Sequence, residues 1–169
     1  MARKIVVTAG ASGIGKHIAA AFLASGDDVY ICDIDAEALQ SAAAQLKGLK
    51  TGICDIGSRS EIEAMVADAA RKLGGIDVLV NNAGIAGPTA PVQDIEPEQW
   101  EQVMNVDLTG TFNVTRNAIP HLIGSGKGVI LVMSSAAGRF GYPNRSPYAT
   151  AKWGLNRFHQ DACHGTRAI

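Results

Sequence analysis

The stretch Lys4-Ile5-Val6-Val7-Thr8-Ala9-Gly10-Ala11-Ser12-Gly13-Ile14-Gly15 decides the fold. Its first half, Lys4–Thr8, is a short β-branched run that reads as a strand. Glycines follow at once, and residues 16–25 then turn alanine-rich, as a helix does. Strand, glycine turn and helix in that order form a dinucleotide-binding context. Glycines let the backbone approach a pyrophosphate, and the free amides and positive dipole at the helix start stabilise its charge. Gly10, Ser12, Gly13, Ile14 and Gly15 are the candidate contacts, with a plain tight turn as the competing reading. Eighteen positions beyond Gly15, Asp33 ends the next apolar run in Ile31-Cys32-Asp33-Ile34. A carboxylate there accepts hydrogen bonds from both adenosine ribose hydroxyls and repels a 2′-phosphate, so NAD is expected over NADP. The competing role is a helix cap, which the neighbouring Asp35 also offers.

Outward from this stretch, Val- and Ile-rich runs alternate with longer alanine-rich segments, the pattern of parallel strands joined by crossover helices. Strands are expected at 4–8, 28–32, 50–54, 78–81 and 128–133, and helices at 13–25, 35–46, 58–73, 96–125 and 147–164. A break in the fourth helix is expected near Asp107. The fold class is therefore α/β, a Rossmann-like doubly wound parallel sheet. With 169 residues, one domain over 1–169 is expected. Segments 84–97 and 138–147 are Pro- and Gly-containing loops after the fourth and fifth strands, at the carboxyl edge where such sheets bind ligands.

The net charge of -1 offers no field for nucleic acid or an anionic membrane, and no apolar run reaches spanning length. Residues 5–7 are too short for an export core behind the basic Arg3-Lys4 flank. Cys32, Cys54 and Cys163 are odd in number and widely spaced, which fits neither a disulfide framework nor a metal site and suggests a reducing, cytoplasmic setting. No metal is expected. His159, Asp161, Cys163 and His164 supply no complete ligand set and read as an incidental terminus. Charged residues at 18% against 47% apolar point to self-association.

Near the end, Tyr148 and Lys152 stand four apart in Tyr148-Ala149-Thr150-Ala151-Lys152, on one face of a helix. A cation close to a phenol favours the phenolate, so the pair can move protons. Two ordinary helix-surface residues would show the same spacing. Taken with the glycine loop, Cys54-Asp55-Ile56, Asn81-Asn82-Ala83-Gly84, Met104-Asn105-Val106 and Ser134-Ser135, the chain resembles the short-chain dehydrogenase/reductase family over residues 4–158. The resemblance implies strand order 3-2-1-4-5 and a nicotinamide cofactor. Asp55 and Ile56 would contact adenine, and Asn82, Ala83 and Gly84 would line the adenosine path, while Asn81 braces the sheet and Ser134 is structural. It further implies a small alcohol or ketone substrate, with Tyr148 as acid/base and Ser135 hydrogen-bonding the oxyanion. Lys152 would bind the nicotinamide ribose and assist Tyr148, and Asn105 would hold a water that links Lys152 to solvent. It also implies a homodimer or homotetramer packed through segments 107–125 and 147–164.

Two departures stand against this pattern. Ala9 occupies a position where the family has glycine, and adjacent Gly10 is expected to supply the missing freedom. The sequence also stops at Ile169, before the family's last two strands and substrate lid, and 159–169 no longer resembles the family helix. Val129-Ile130-Leu131-Val132 is then an unprotected sheet edge that a partner must cover. A noncatalytic NAD-binding module and a shortened product of a longer reading frame are the alternatives to an enzyme. Arg139 and Arg145 read as solvated loop residues.

Overall fold

The computed structural model describes residues 2–165. Five strands, β1 (Lys4–Thr8), β2 (Asp28–Asp33), β3 (Lys50–Ile53), β4 (Val78–Asn81) and β5 (Val129–Val132), form one parallel sheet in the order β3-β2-β1-β4-β5. The chain starts at the centre, steps outward to β3, then crosses over β1 to β4, so the order reverses between β1 and β4. Ligands of open parallel sheets bind outside the strand ends at such a reversal. Val6 sits between Tyr30 and Leu79 in register, and Val7 between Ile31 and Val80.

Strands covered on both faces need apolar residues at consecutive positions, which explains Ile5-Val6-Val7 and Val29-Tyr30-Ile31-Cys32, all fully buried. Alternate residues serve opposite faces. Ile5, Val7, Val29, Ile31, Val78 and Val80 pack under α1 (Gly13–Ala24) and α2 (Ala36–Gln45). Val6, Tyr30, Cys32, Leu79 and Ile130 face α3 (Arg59–Leu73) and α5 (Thr111–Gly124). The last helix, α6 (Ser146–Gly165), packs beside β5 and carries the Tyr148–Lys152 face. Asp35 caps α2, its Oδ1 accepting from the Ala38 amide at 2.9 Å, so the cap role falls to Asp35 and not to Asp33.

The expected fourth helix is divided differently from the expectation of a simple break. Pro97 opens α4 (Pro97–Val103), capped reciprocally by Glu96 and Gln99. A π-helical stretch then runs over Met104–Gly110 and passes directly into α5. Asp107 joins Val103, Gly110 and Val114 on the buried side of this continuous helical segment. Ala9 itself adopts φ +48°, so the positive φ is borne by the alanine and not by Gly10. Among the described residues β5 pairs only with β4, leaving Val129 and Leu131 45% and 44% exposed. No helix among the described residues is long and apolar enough to cross a membrane.

Candidate functional site

The glycine loop turns sharply at the end of β1. The Gly10 amide donates to the Cys32 carbonyl at 3.0 Å and the Ala11 amide to Asp33 Oδ2 at 3.1 Å, which fastens the loop to the end of β2. A Cβ on Gly15 would lie 2.2 Å from the Ala9 carbonyl oxygen and 2.6 Å from Asn82 Nδ2, so only glycine lets helix and loop meet here. Ser12 is extended and makes no side-chain cap, and the first turn of α1 carries no acid. Among the described residues the opening amides of α1, at Gly13, Ile14 and Gly15, therefore have no side-chain cap, the arrangement in which a helix start can receive an anion.

Two cavities flank this loop and share Gly84 and Ile85. The first, about 470 Å³, is lined by Ala9, Asp33, Ile34, Asp55, Ile56, Ala83, Gly84 and Asn105, among others. Asp55 Oδ1 accepts from the Gly57 amide at 2.7 Å, which shapes the turn after β3. The second, about 420 Å³, lies between loops 84–97 and 138–147 and is lined by Ile14, Asn82, Gly84, Ser135, Tyr142, Arg145, Tyr148 and Lys152, among others.

In the second cavity the α6 face holds Tyr148 and Lys152 together, with the Lys152 Nζ 5.5 Å from the Tyr148 ring centroid. Lys152 Nζ donates to the Met133 carbonyl at 3.2 Å and pairs with the Asp107 carboxylate at 3.5 Å. Ser135 presents its hydroxyl at the same cavity, where Oγ accepts from the Ala137 amide at 3.2 Å. Ser134 instead donates to the Lys152 carbonyl at 3.1 Å, a scaffold bond between β5 and α6. Asn81 Nδ2 donates to Thr115 Oγ1 at 3.0 Å, joining β4 to α5. Asn82 Nδ2 donates to the Thr8 and Ala9 carbonyls, both at 3.0 Å, so it holds the glycine loop and lines the second cavity rather than the first. Thr8, which the sequence reading passed over, accepts from the Asn82 and Ala83 amides at 3.0 Å each and sets the course of the chain after β4.

Asn105 is a correction. Its Nδ2 donates to the Gly57 carbonyl at 3.1 Å and it lines the first cavity, not the surroundings of Lys152. Asp107, two positions on, meets Lys152 instead. Asp107 is fully buried, and its Oδ1 accepts from the Ile85 amide at 2.7 Å. Burial raises the Asp107 pKa above the ordinary carboxyl value, and the Ile85 amide and Lys152 oppose that rise without cancelling it. An acid at helical spacing from Val103 and Val114, on the face that turns inward, was the signal that could have found it.

Arg145 is a second correction. It is half-buried in the second cavity and donates from Nη1 to the Gly87 carbonyl at 3.3 Å and to Thr89 Oγ1 at 2.9 Å. Arg139 does not line that cavity. Among the described residues no three His, Cys, Asp or Glu side chains could hold a metal ion, and Asp161 pairs with Arg157 at 3.2 Å. The side chains of Cys163 and His164 lie outside the described residues.

Orphan helix amides at the sheet's reversal point, an acid at the end of β2 and two cavities on either side of one glycine loop define a Rossmann-type α/β protein. The chain belongs to the short-chain dehydrogenase family, whose model matches residues 3–167. It is similar to 2-dehydro-3-deoxy-L-rhamnonate dehydrogenase (NAD(+)) of Sphingomonas sp., with 34% identity over 92% of this chain and 63% of that protein. The chain thus spans less than two thirds of the length of that relative. Among solved structures it is similar to actinorhodin polyketide ketoreductase with NADPH, at 31% identity and TM-score 0.94, covering 98% of this chain and 65% of that one. NAD+-bound xylitol dehydrogenase is similar at 29% identity and TM-score 0.94, covering 97% and 65%.

Proposed function

We propose that this chain carries the cofactor and proton-transfer machinery of an NAD-dependent oxidoreductase that interconverts a secondary alcohol and a ketone. One observation carries the reading: Ser135, Tyr148 and Lys152 converge on a single cavity beside the glycine loop. The residues fit a nicotinamide dinucleotide. The close approach of loop and helix at Gly15, the open space beside Gly13 and the uncapped amides of α1 suit a pyrophosphate, with Gly10, Ser12 and Ile14 beside them. Asp33, Asp55, Ile56, Ala83 and Gly84 suit the adenosine half, and Asn82 the passage toward Lys152 and Tyr148. The lining of the first cavity contains no Lys or Arg to meet a 2′-phosphate, while Asp33 would accept ribose hydroxyls, which supports NAD over NADP.

When bound, the nicotinamide supplies the hydride acceptor or donor. In the oxidative direction, the carbinol C–H bond breaks with its electron pair leaving as hydride, the C=O bond forms, and the hydroxyl proton passes to Tyr148 Oη. In reduction, Tyr148 Oη returns that proton. Ser135 Oγ donates to the substrate oxygen as negative charge develops. Lys152, positioned by the Met133 carbonyl and Asp107, faces the Tyr148 ring and would hold the ribose hydroxyls. A panel of secondary alcohols with NAD tests this by NADH absorbance, and Tyr148→Phe should lower kcat/KM by at least about 100-fold. An equally active Tyr148→Phe protein overturns the assignment, and NAD binding without turnover on the whole panel would favour a binding module.

A second copy of this chain is the proposed partner. Phe112 on α5 and Trp153 on α6 are 47% and 53% exposed on neighbouring helices, and the ring of Phe112 meets that of Phe158 edge-on at 6.3 Å. Such an apolar helix face is suited to packing across a twofold axis.

A further inference from the structure

We infer that Arg145 selects the substrate: the alcohol or ketone that enters the second cavity carries an oxyanionic group, a carboxylate, sulfonate or phosphate, near its reacting carbon. The inference rests on the oxidoreductase reading above and names the substrate class of the same site. Its first support is place. Arg145 immediately precedes α6 and lines the cavity together with Ser135, Tyr148 and Lys152. Its guanidinium carbon lies 5.9 Å from the Tyr148 ring centroid and 6.0 Å from that of Tyr142, so the charge is held between two aromatic rings at the reacting end of the cavity.

Its second support is charge balance. No Asp or Glu lines this cavity. Of its two cations, Lys152 is answered by the Asp107 carboxylate at 3.5 Å. Arg145 meets only neutral acceptors, the Gly87 carbonyl and the Thr89 hydroxyl, and both are served by Nη1. Among the described residues nothing accepts from its Nε or Nη2. That edge of a guanidinium is the fork that takes a carboxylate, sulfonate or phosphate through two parallel hydrogen bonds.

Its third support is preorganisation. The bonds to Gly87 and Thr89 tie the loop before α6 to the loop after β4, and the Ala90 amide adds a bond to the Asn144 carbonyl at 2.9 Å. A long flexible side chain fixed in this way loses little further entropy on binding an anion. A latch alone would need only a donor and no charge, and Arg145→Gln separates the two roles because glutamine keeps a donor and removes the charge.

The test uses acetoacetate and levulinate against their methyl esters, with NADH, on the 169-residue chain and on Arg145→Gln. The parent should prefer the acids, and Arg145→Gln should lower the acid-to-ester ratio of kcat/KM by about 30-fold or more. Arg145→Lys should recover part of that ratio. Parent turnover that favours the esters, or an Arg145→Gln loss equal for acid and ester, overturns the inference. Titration calorimetry of both acids in the presence of NADH decides the matter if nothing is turned over. Acid binding weakened at least tenfold by Arg145→Gln would keep the anion site while the catalytic reading falls. Failure of both acids to bind, or binding indifferent to Arg145→Gln, would remove the anion site.

Discussion

Asp107 and Lys152 form an ion pair inside the protein, and the sign of its contribution follows from burial. Removing a carboxylate from water costs more than one ammonium at 3.5 Å and one amide at 2.7 Å return, and so the Asp107 pKa is raised. Between the unperturbed value of 3.8 and its raised folded value, the folded protein binds the proton and the unfolded chain does not. That contribution to stability is complete below 3.8 and is lost as pH rises through the folded pKa. Asp107→Asn removes this dependence, so the stability of the variant relative to the parent should increase with pH across that window. Urea denaturation at a series of pH values measures it, and a relative stability that falls with pH would contradict the burial argument. The cost lies in burying the Asp107 carboxylate, and the Lys152 amine offsets part of it. Of the residues around this amine, Tyr148 and Lys152 were legible because four-residue spacing on a helix fixes a shared face. Asp107 was not, because the amine it meets lies on another helix far along the chain, and spacing within one helix does not reveal that pairing. Arg145 was missed for a related reason: its acceptors Gly87 and Thr89 lie more than fifty positions away in the chain.

The strand–loop–helix unit at the start shows how a motif becomes geometry. Gly15 is required by approach distance, since a Cβ would sit 2.2 Å from the Ala9 carbonyl oxygen. Gly15→Ala should therefore cost about 1–3 kcal/mol in stability, by forcing α1 and the loop apart. It should also weaken NAD binding at least about tenfold, because the amides of α1 move away from the loop. Thermal unfolding and calorimetry read the two effects, and a variant with parental values of both would sink this account of the loop. Ala9 takes a left-handed conformation that costs an alanine about 1–2 kcal/mol, and the Asn82 amide on its carbonyl helps to hold it there. The strand cores were legible, since buried parallel strands need uninterrupted apolar runs. The π-helical join between α4 and α5 was not, because both sides of it have helical periodicity and only the contacts of the folded core choose the wider turn.

The sheet has α1 and α2 on one side and α3 and α5 on the other, and the apolar surface it leaves exposed is where the proposed association would occur. Phe112 and Trp153 face outward from adjacent helices, and Val129 and Leu131 lie exposed on the edge strand β5. Sedimentation velocity should give a dimer or larger closed oligomer, and Phe112→Glu with Trp153→Glu should raise its dissociation constant by about 30-fold or more. A stable monomer at micromolar concentration would count against the helix face as an interface. The amino-acid sequence by itself determined the α/β class, the glycine loop with Asp33 and the shared face of Tyr148 and Lys152, while the strand order came from the family resemblance. The first three follow from local periodicity, or from motifs whose spacing is measured along the chain. The tertiary structure alone decided that Asp107 and not Asn105 meets Lys152, that Asn82 holds the glycine loop, and that Arg145 stands in the cavity beside Tyr148. Those pairings join residues far apart in the chain, and their distances are set by how helices and loops pack over the sheet.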